Sequence, residues 1–131
     1  IMRYVQANED ELVKSNGGIF LLGRSLGGAV AAYVATHPET PKDLFAGVVL
    51  ESTFSSIPDM VDEMFPYPIN IITRLLCSIG WKTIELVNEI KMPVLYITGS
   101  DDELVPSSMT IKMHEATTNS VSKHKLVIKG G

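Results

Sequence analysis

The sequence predicts an α/β fold built on a parallel sheet. Four short apolar runs, Ile19–Leu22, Phe45–Leu50, Pro93–Thr98 and Lys125–Ile128, read as strands. They alternate with segments of helical composition, which implies parallel βαβ units. A glycine-flanked turn, Gly23-Arg24-Ser25-Leu26-Gly27-Gly28, joins the first run directly to the alanine-rich segment Ala29–Ala35.

Taken in order, Ile1–Gln6 reads as the tail of an amphipathic helix. Asn16-Gly17-Gly18 is a turn signal before the first strand. The helix after Ser25 runs to about Thr36 and stops at His37-Pro38, because the residue before a proline leaves the helical region. The second strand, Phe45–Leu50, ends in Glu51-Ser52-Thr53. The stretch from 55 to 92 is longer than a simple crossover, and Pro58, Pro66 and Pro68 break it. Part of it is expected to be the helix that crosses to the third strand. The apolar residues Phe65 to Leu76, with Trp81, form either a small lid over Ser25 or ordinary helix packing on the sheet. After the third strand comes a loop, Gly99–Pro106, then a helix over Ser107–Thr117 and the fourth strand.

The 131 residues suit one small domain, and a net charge of −4 argues against a nucleic-acid partner. Cys77 is the sole cysteine, which excludes an internal disulfide and a cysteine metal cluster; it reads as a small buried hydrophobe. No cofactor and no metal is expected. No apolar run reaches the ~18 residues of a membrane span, and no signal peptide is visible. The sequence opens on Ile1, so any N-terminal anchor is expected upstream.

The turn at Ser25 carries the chemistry. G-x-S-x-G between a strand and a helix is a nucleophile elbow, which lifts one serine hydroxyl above the sheet. Gly23 and Gly27 are expected to remove side chains that clash where strand and helix approach, and Gly28 to bring the helix closer to the sheet. The Leu26 N–H, at the helix N-terminus, is placed to donate to an oxyanion. Serine needs a base, and the base needs a carboxylate; the chain order for this motif is Ser, acid, His. Asp102 is the preferred acid, just past the third strand. Asp101 is its rival and Glu51 a distant third. The acidic cluster also reads as a solvated turn that caps the next helix.

None of the three histidines fits the base. His37 precedes a proline, His114 lies inside a helix, and His124 comes before the last strand rather than after it. A strand of five residues sets His124 ~16 Å from the serine end of the sheet. The base is expected in the loop after the last strand, beyond Gly131. Ile19–Leu22 would also be a bare edge strand if nothing preceded it. The chain therefore reads as the incomplete catalytic domain, residues 1–131, of a larger hydrolase, with a lid or crossover region at about 55–92.

With elbow and acid loop placed, the chain resembles the alpha/beta-hydrolase superfamily. More closely it is similar to the branch of alpha/beta-hydrolase domain-containing protein 13 and the bud-emergence (Bem)-type proteins. The matching segments are Ile19–Ala31, Glu51–Met60 and Met92–Pro106. Members carry a segment similar to Glu-Asn-Thr-Phe-x-Ser-Ile-Pro; here Ser52 replaces the asparagine. The resemblance implies strands 5–8 of that fold, Ser25 as nucleophile, Asp102 as acid and a histidine just after Gly131. It also implies a membrane-anchored esterase or acyl-protein (palmitoyl) thioesterase, with an acylated small molecule, lipid or protein as substrate. A catalytically inactive binding protein and a prolyl-oligopeptidase-type peptidase stay open.

Overall fold

The computed structural model describes residues 7–8, 18–65, 67 and 82–130. Four strands, β1 (Ile19–Arg24), β2 (Phe45–Glu51), β3 (Val94–Gly99) and β4 (Lys123–Ile128), form one sheet in the order β1-β2-β3-β4. Every pair is parallel, so all four carboxyl ends meet at one edge. Helix α1 (Leu26–Thr36) connects β1 to β2. Helices α2 (Ile57–Met64) and α3 (Thr83–Glu89) lie between β2 and β3, and α4 (Ser107–Ala116) between β3 and β4. The α/β fold class read from the sequence is the observed one.

Strand alternation divides the sheet into two faces. Val48, Leu50, Val94 and Tyr96 are almost fully buried and pack on Ala31 and Ala32 of α1, Val87 of α3 and Met113 of α4, with Ile90 beside them. Each such side chain contributes roughly 1.5–3 kcal/mol through burial. Tyr96 keeps a partner for its hydroxyl, which meets the Thr117 hydroxyl, and burial pushes its phenol up to about 12. On the opposite face Leu22, Val49, Leu95 and His124 share one row by register. Phe20 and Leu22 of β1 and Leu126 and Ile128 of β4 are largely exposed.

A second, smaller core sits at the carboxyl edge. Ala29 of α1, Phe54 after β2, Val105 after β3 and Met109 of α4 form it, with Ile57 and Met60 of α2 packed against them. This cluster locks the loops after β2 and β3 onto the start of α1. Helix α2 is well started: the Ser56 hydroxyl accepts from the Asp59 N–H at 3.1 Å, Ser55 donates to the Asp59 carboxylate, and Pro58 fills the first turn.

The strands extend slightly past their apolar runs. β1 continues through Gly23 and Arg24 because their ladder to Leu50 and Glu51 is intact. α1 ends at Thr36, and His37 adopts φ −64°, ψ 133°, the extended geometry that Pro38 imposes. One expectation is corrected: β4 begins at Lys123, so His124 lies inside the strand and not before it. Lys123-His124-Lys125 pairs through its backbone with Val94-Leu95-Tyr96, which an apolar pattern does not reveal. The readings for residues 1–6, for Cys77 and Trp81 and for most of the Phe65–Leu76 stretch lie outside the described residues.

Candidate active site

Ser25 follows the last residue of β1 and is the N-cap of α1, with φ 51° and ψ −122°. This is a region that L-residues avoid, at a cost of about 1–3 kcal/mol. The surroundings hold it there. The Ser25 N–H donates to the Glu51 carbonyl at 3.0 Å, and the Ser25 carbonyl accepts from the Gly28 N–H at 3.0 Å. Its two sides are thus tied to β2 and to the first turn of the helix.

Two of the three elbow glycines are sterically required. A Cβ on Gly23 would lie 2.3 Å from the Gly27 carbonyl oxygen and 2.6 Å from the Gly28 Cα. A Cβ on Gly28 would lie 1.8 Å from the Thr53 hydroxyl oxygen. Gly27 is a correction: a Cβ there meets nothing within 4 Å. The helix approaches β1 through the Gly27 backbone, and its missing side chain would point away into open space. The Leu26 N–H opens α1 and is one of the N–H groups at a helix start with no intrahelical acceptor.

The acid loop is equally specific. Asp102 Oδ1 accepts from the Leu104 N–H at 3.1 Å and from the Val105 N–H at 2.9 Å, so the loop closes around it. Partial burial pushes this carboxyl up, but the Val105 and Leu104 N–H groups, the polar Ser52 side chain and the charge of Arg24 outweigh it. The result is a carboxyl below its ordinary range. Asp101 is exposed and accepts only from the adjacent Ser100 hydroxyl at 2.8 Å. Glu51 faces Arg24 at 3.7 Å. The N-cap of α4 is Pro106, without a side-chain bond, so Asp102 shapes its own loop and does not cap that helix.

Ser25 and Asp102 both stand at the carboxyl edge, just after β1 and just after β3. Two strand spacings, about 10 Å, separate those strands, which leaves room for a base between them. The three histidines stand elsewhere. His37 caps the end of α1, meets the tilted Tyr33 ring at 5.1 Å and accepts from the Glu39 N–H. His114 meets the Tyr96 ring edge at 5.8 Å; burial, Lys123 and Lys125 hold its imidazole below the usual range. His124 pairs with Leu95, four residues or about 13 Å short of the carboxyl end at Ile128. The chain does return to the acid loop after β4: Ser100 N–H donates to Ile128 O at 2.9 Å and Gly130 N–H to the Ser100 hydroxyl at 3.1 Å.

Ser52 is the site residue that reasoning from the sequence missed. Its φ is 41°, and among the described residues it and Ser25 are the two non-glycine residues with positive φ. Its place at a strand's carboxyl end, beside the elbow strand, was the available signal. Among the described residues no group of three or more metal-ligating side chains converges, and no helix is long and apolar enough to cross a membrane.

The chain is 39% identical over 89 residues to Protein bem46 of Schizosaccharomyces pombe, covering 67% of this chain and 28% of that protein. It is 37% identical over 109 residues to an uncharacterized membrane protein of Saccharomyces cerevisiae, covering 80% of this chain and 36% of that one. It therefore spans about a third of the length of these curated relatives. Among solved structures, an esterase of Pyrococcus furiosus superposes with a TM-score of 0.67 at 18% identity, over 96% of this chain and 50% of the esterase, which shows the shared alpha/beta-hydrolase fold. Residues 5–131 match the model of the serine hydrolase (FSH1) family, and the chain belongs to that family.

Proposed function

We propose that Ser25 is the nucleophile of a serine hydrolase that cleaves ester or thioester bonds through an acyl-enzyme. The observation that carries this reading is the Ser25 backbone, held at φ 51° by bonds on both sides and by glycines at 23 and 28. Backbone strain of this kind persists only where the surroundings over-determine it, and here it presents a hydroxyl.

In the proposed reaction Ser25 Oγ attacks the acyl carbonyl as its proton passes to the base. The tetrahedral oxyanion takes a hydrogen bond from the Leu26 N–H, aided by the dipole of α1. Collapse expels the alcohol or thiol, which takes the proton from the base. Water, activated by the same base, then releases the acid. Asp102 holds the base in the productive orientation and stabilises its charged form. The base is a histidine in the loop after β4, outside these 131 residues; the Ser100–Gly130 contact starts that loop beside the acid.

An acyl substrate of a small molecule, lipid or protein suits the exposed Leu26 and Leu104, which flank Ser25 and Asp102. Membrane association of the whole protein is part of the proposal, supported by the Saccharomyces cerevisiae relative being described as a membrane protein. One observation favours a second reading, an inactive hydrolase fold used for binding: His37, His114 and His124 all lie away from Ser25. A fluorophosphonate probe on the protein extended past Gly131 separates the two. Labelling at Ser25 supports the hydrolase, and an unlabelled folded protein supports the binding reading.

A further inference from the structure

We propose that Thr53 is a positioning residue for the nucleophile elbow: its hydroxyl locks the Glu51 carbonyl and the first turn of α1 around Ser25. The inference rests on the reading of Ser25 as the nucleophile, and concerns a residue that the elbow motif itself does not contain.

The strained Ser25 backbone needs support from outside its own turn. The bond from the Gly28 N–H to the Ser25 carbonyl is local to that turn. The bond from the Ser25 N–H to the Glu51 carbonyl, at 3.0 Å, reaches across to β2. That carbonyl takes a second donor, the Thr53 hydroxyl, at 3.2 Å. A carbonyl oxygen has two lone pairs, so both bonds fit. With both made, the carbonyl that holds Ser25 is oriented from its own chain as well as from the elbow.

The same hydroxyl meets the helix. A Cβ on Gly28 would lie 1.8 Å from Thr53 Oγ1 and 2.7 Å from both its Cβ and its Cγ2, so the Thr53 side chain occupies the notch that this glycine opens. Thr53 is almost fully buried there. The next residue, Phe54, joins the small apolar core with Ala29, the residue after Gly28. Two consecutive residues after β2 thus clamp two consecutive residues of α1. The Glu51 carboxylate also faces Arg24 at 3.7 Å, but both side chains are exposed, and such a pair contributes little. Threonine suits the notch for a physical reason. Alanine would leave the Glu51 carbonyl with one donor. Valine would set a larger methyl group where the oxygen now lies against Gly28. The position of Ser25 matters because a misplacement of about 1 Å costs up to two orders of magnitude in rate.

The test isolates the hydroxyl. Thr53→Ser keeps it and loses the methyl group, whereas Thr53→Ala loses both, so the two variants differ by the oxygen alone. Hydrogen exchange is read by mass spectrometry in the whole protein, extended past Gly131, on peptides covering the elbow, Gly23–Gly28, and the acid loop, Gly99–Pro106. Thr53→Ala is expected to speed exchange at the elbow roughly 3–10-fold and to leave the acid loop at its wild-type rate. Thr53→Ser is expected to keep both at the wild-type rate. On a p-nitrophenyl ester, Thr53→Ala is expected to lower kcat by roughly 3–10-fold with KM unchanged, and Thr53→Ser to keep the wild-type value. Elbow exchange that is unmoved in Thr53→Ala, raised equally by Thr53→Ser, or matched by equal loosening of the acid loop overturns the inference. A folded wild-type protein that carries a histidine after β4 and fails to label at Ser25 with a fluorophosphonate overturns the proposed function instead, and the exchange comparison still decides the role of Thr53.

Discussion

The carboxyl and amino edges of the sheet have opposite characters. At the carboxyl edge Ser25 and Ser52 carry positive φ, Gly23 and Gly28 admit no side chain, and Asp102 Oδ1 collects two backbone N–H donors. At the amino edge lies a cleft of about 600 Å³, lined among others by His37, Pro41, Phe45, Lys91 and Pro93. Its one histidine is occupied with Tyr33 and the Glu39 N–H, and its charges, Lys42 and Lys91 against Asp43 and Glu89, nearly cancel. This cleft is therefore at the end without the strained serines. In the proposed function, convergent strain and hydrogen bonds rather than volume mark the chemical end of this sheet.

The largest expected effect tests that contrast directly. In the protein extended past Gly131, Ser25→Ala is expected to lower ester hydrolysis by at least about 10³-fold, read as kcat on a p-nitrophenyl ester. His37→Ala, in the amino-edge cleft, is expected to leave the rate unchanged. Equal losses in the two variants would break the assignment of chemistry to the carboxyl edge.

The glycines sharpen it next. Gly23→Ala places a Cβ against a backbone carbonyl that has no room to move, and is expected to cost about 2–4 kcal/mol in urea unfolding. Gly27→Ala meets open space inside a helix and is expected to stabilise by roughly 0.5–1 kcal/mol. The two changes have the same chemistry and the same motif, so a similar loss for both would refute the observed packing.

Smaller is the effect of the acid on stability. Asp102 has a carboxyl held below its ordinary range, so its contribution is fully present above the unfolded value near ~4 and fades as pH falls through the folded one. Asp102 is only half-buried, so solvent screening keeps that contribution under ~1 kcal/mol. Asp102→Asn is thus expected to be less stable than the parent at pH 7, with the gap closing below pH ~4. A gap that stays constant down to pH 2 would remove the ionised carboxylate from the account.

Much of this was legible in the chain. The apolar runs Phe45–Leu50 and Pro93–Thr98 announced the two central strands because both are packed against helices. The turn at Ser25 was legible because a strained serine needs its glycines locally. β4 began earlier than its apolar residues suggest because Lys123 and His124 pair with β3 through their backbone, and the Lys123 ammonium donates to the His114 carbonyl at 2.7 Å. Gly27 looked equivalent to Gly23 in the motif, yet only the three-dimensional direction of its Cβ shows that it is free. Asp102 was separable from Asp101 by the loop's donors, and Ser52 by a backbone angle, and neither is written in residue type.

The account's central claim is that Ser25 is an armed nucleophile when its base is present. Fluorophosphonate labelling of the protein extended past Gly131, with the adduct located by peptide mass spectrometry, tests it most directly. The predicted result is one adduct, on Ser25, absent from Ser25→Ala and absent when the histidine after β4 is replaced. An adduct on another serine, or a folded protein with that histidine intact and Ser25 unmodified, would contradict it.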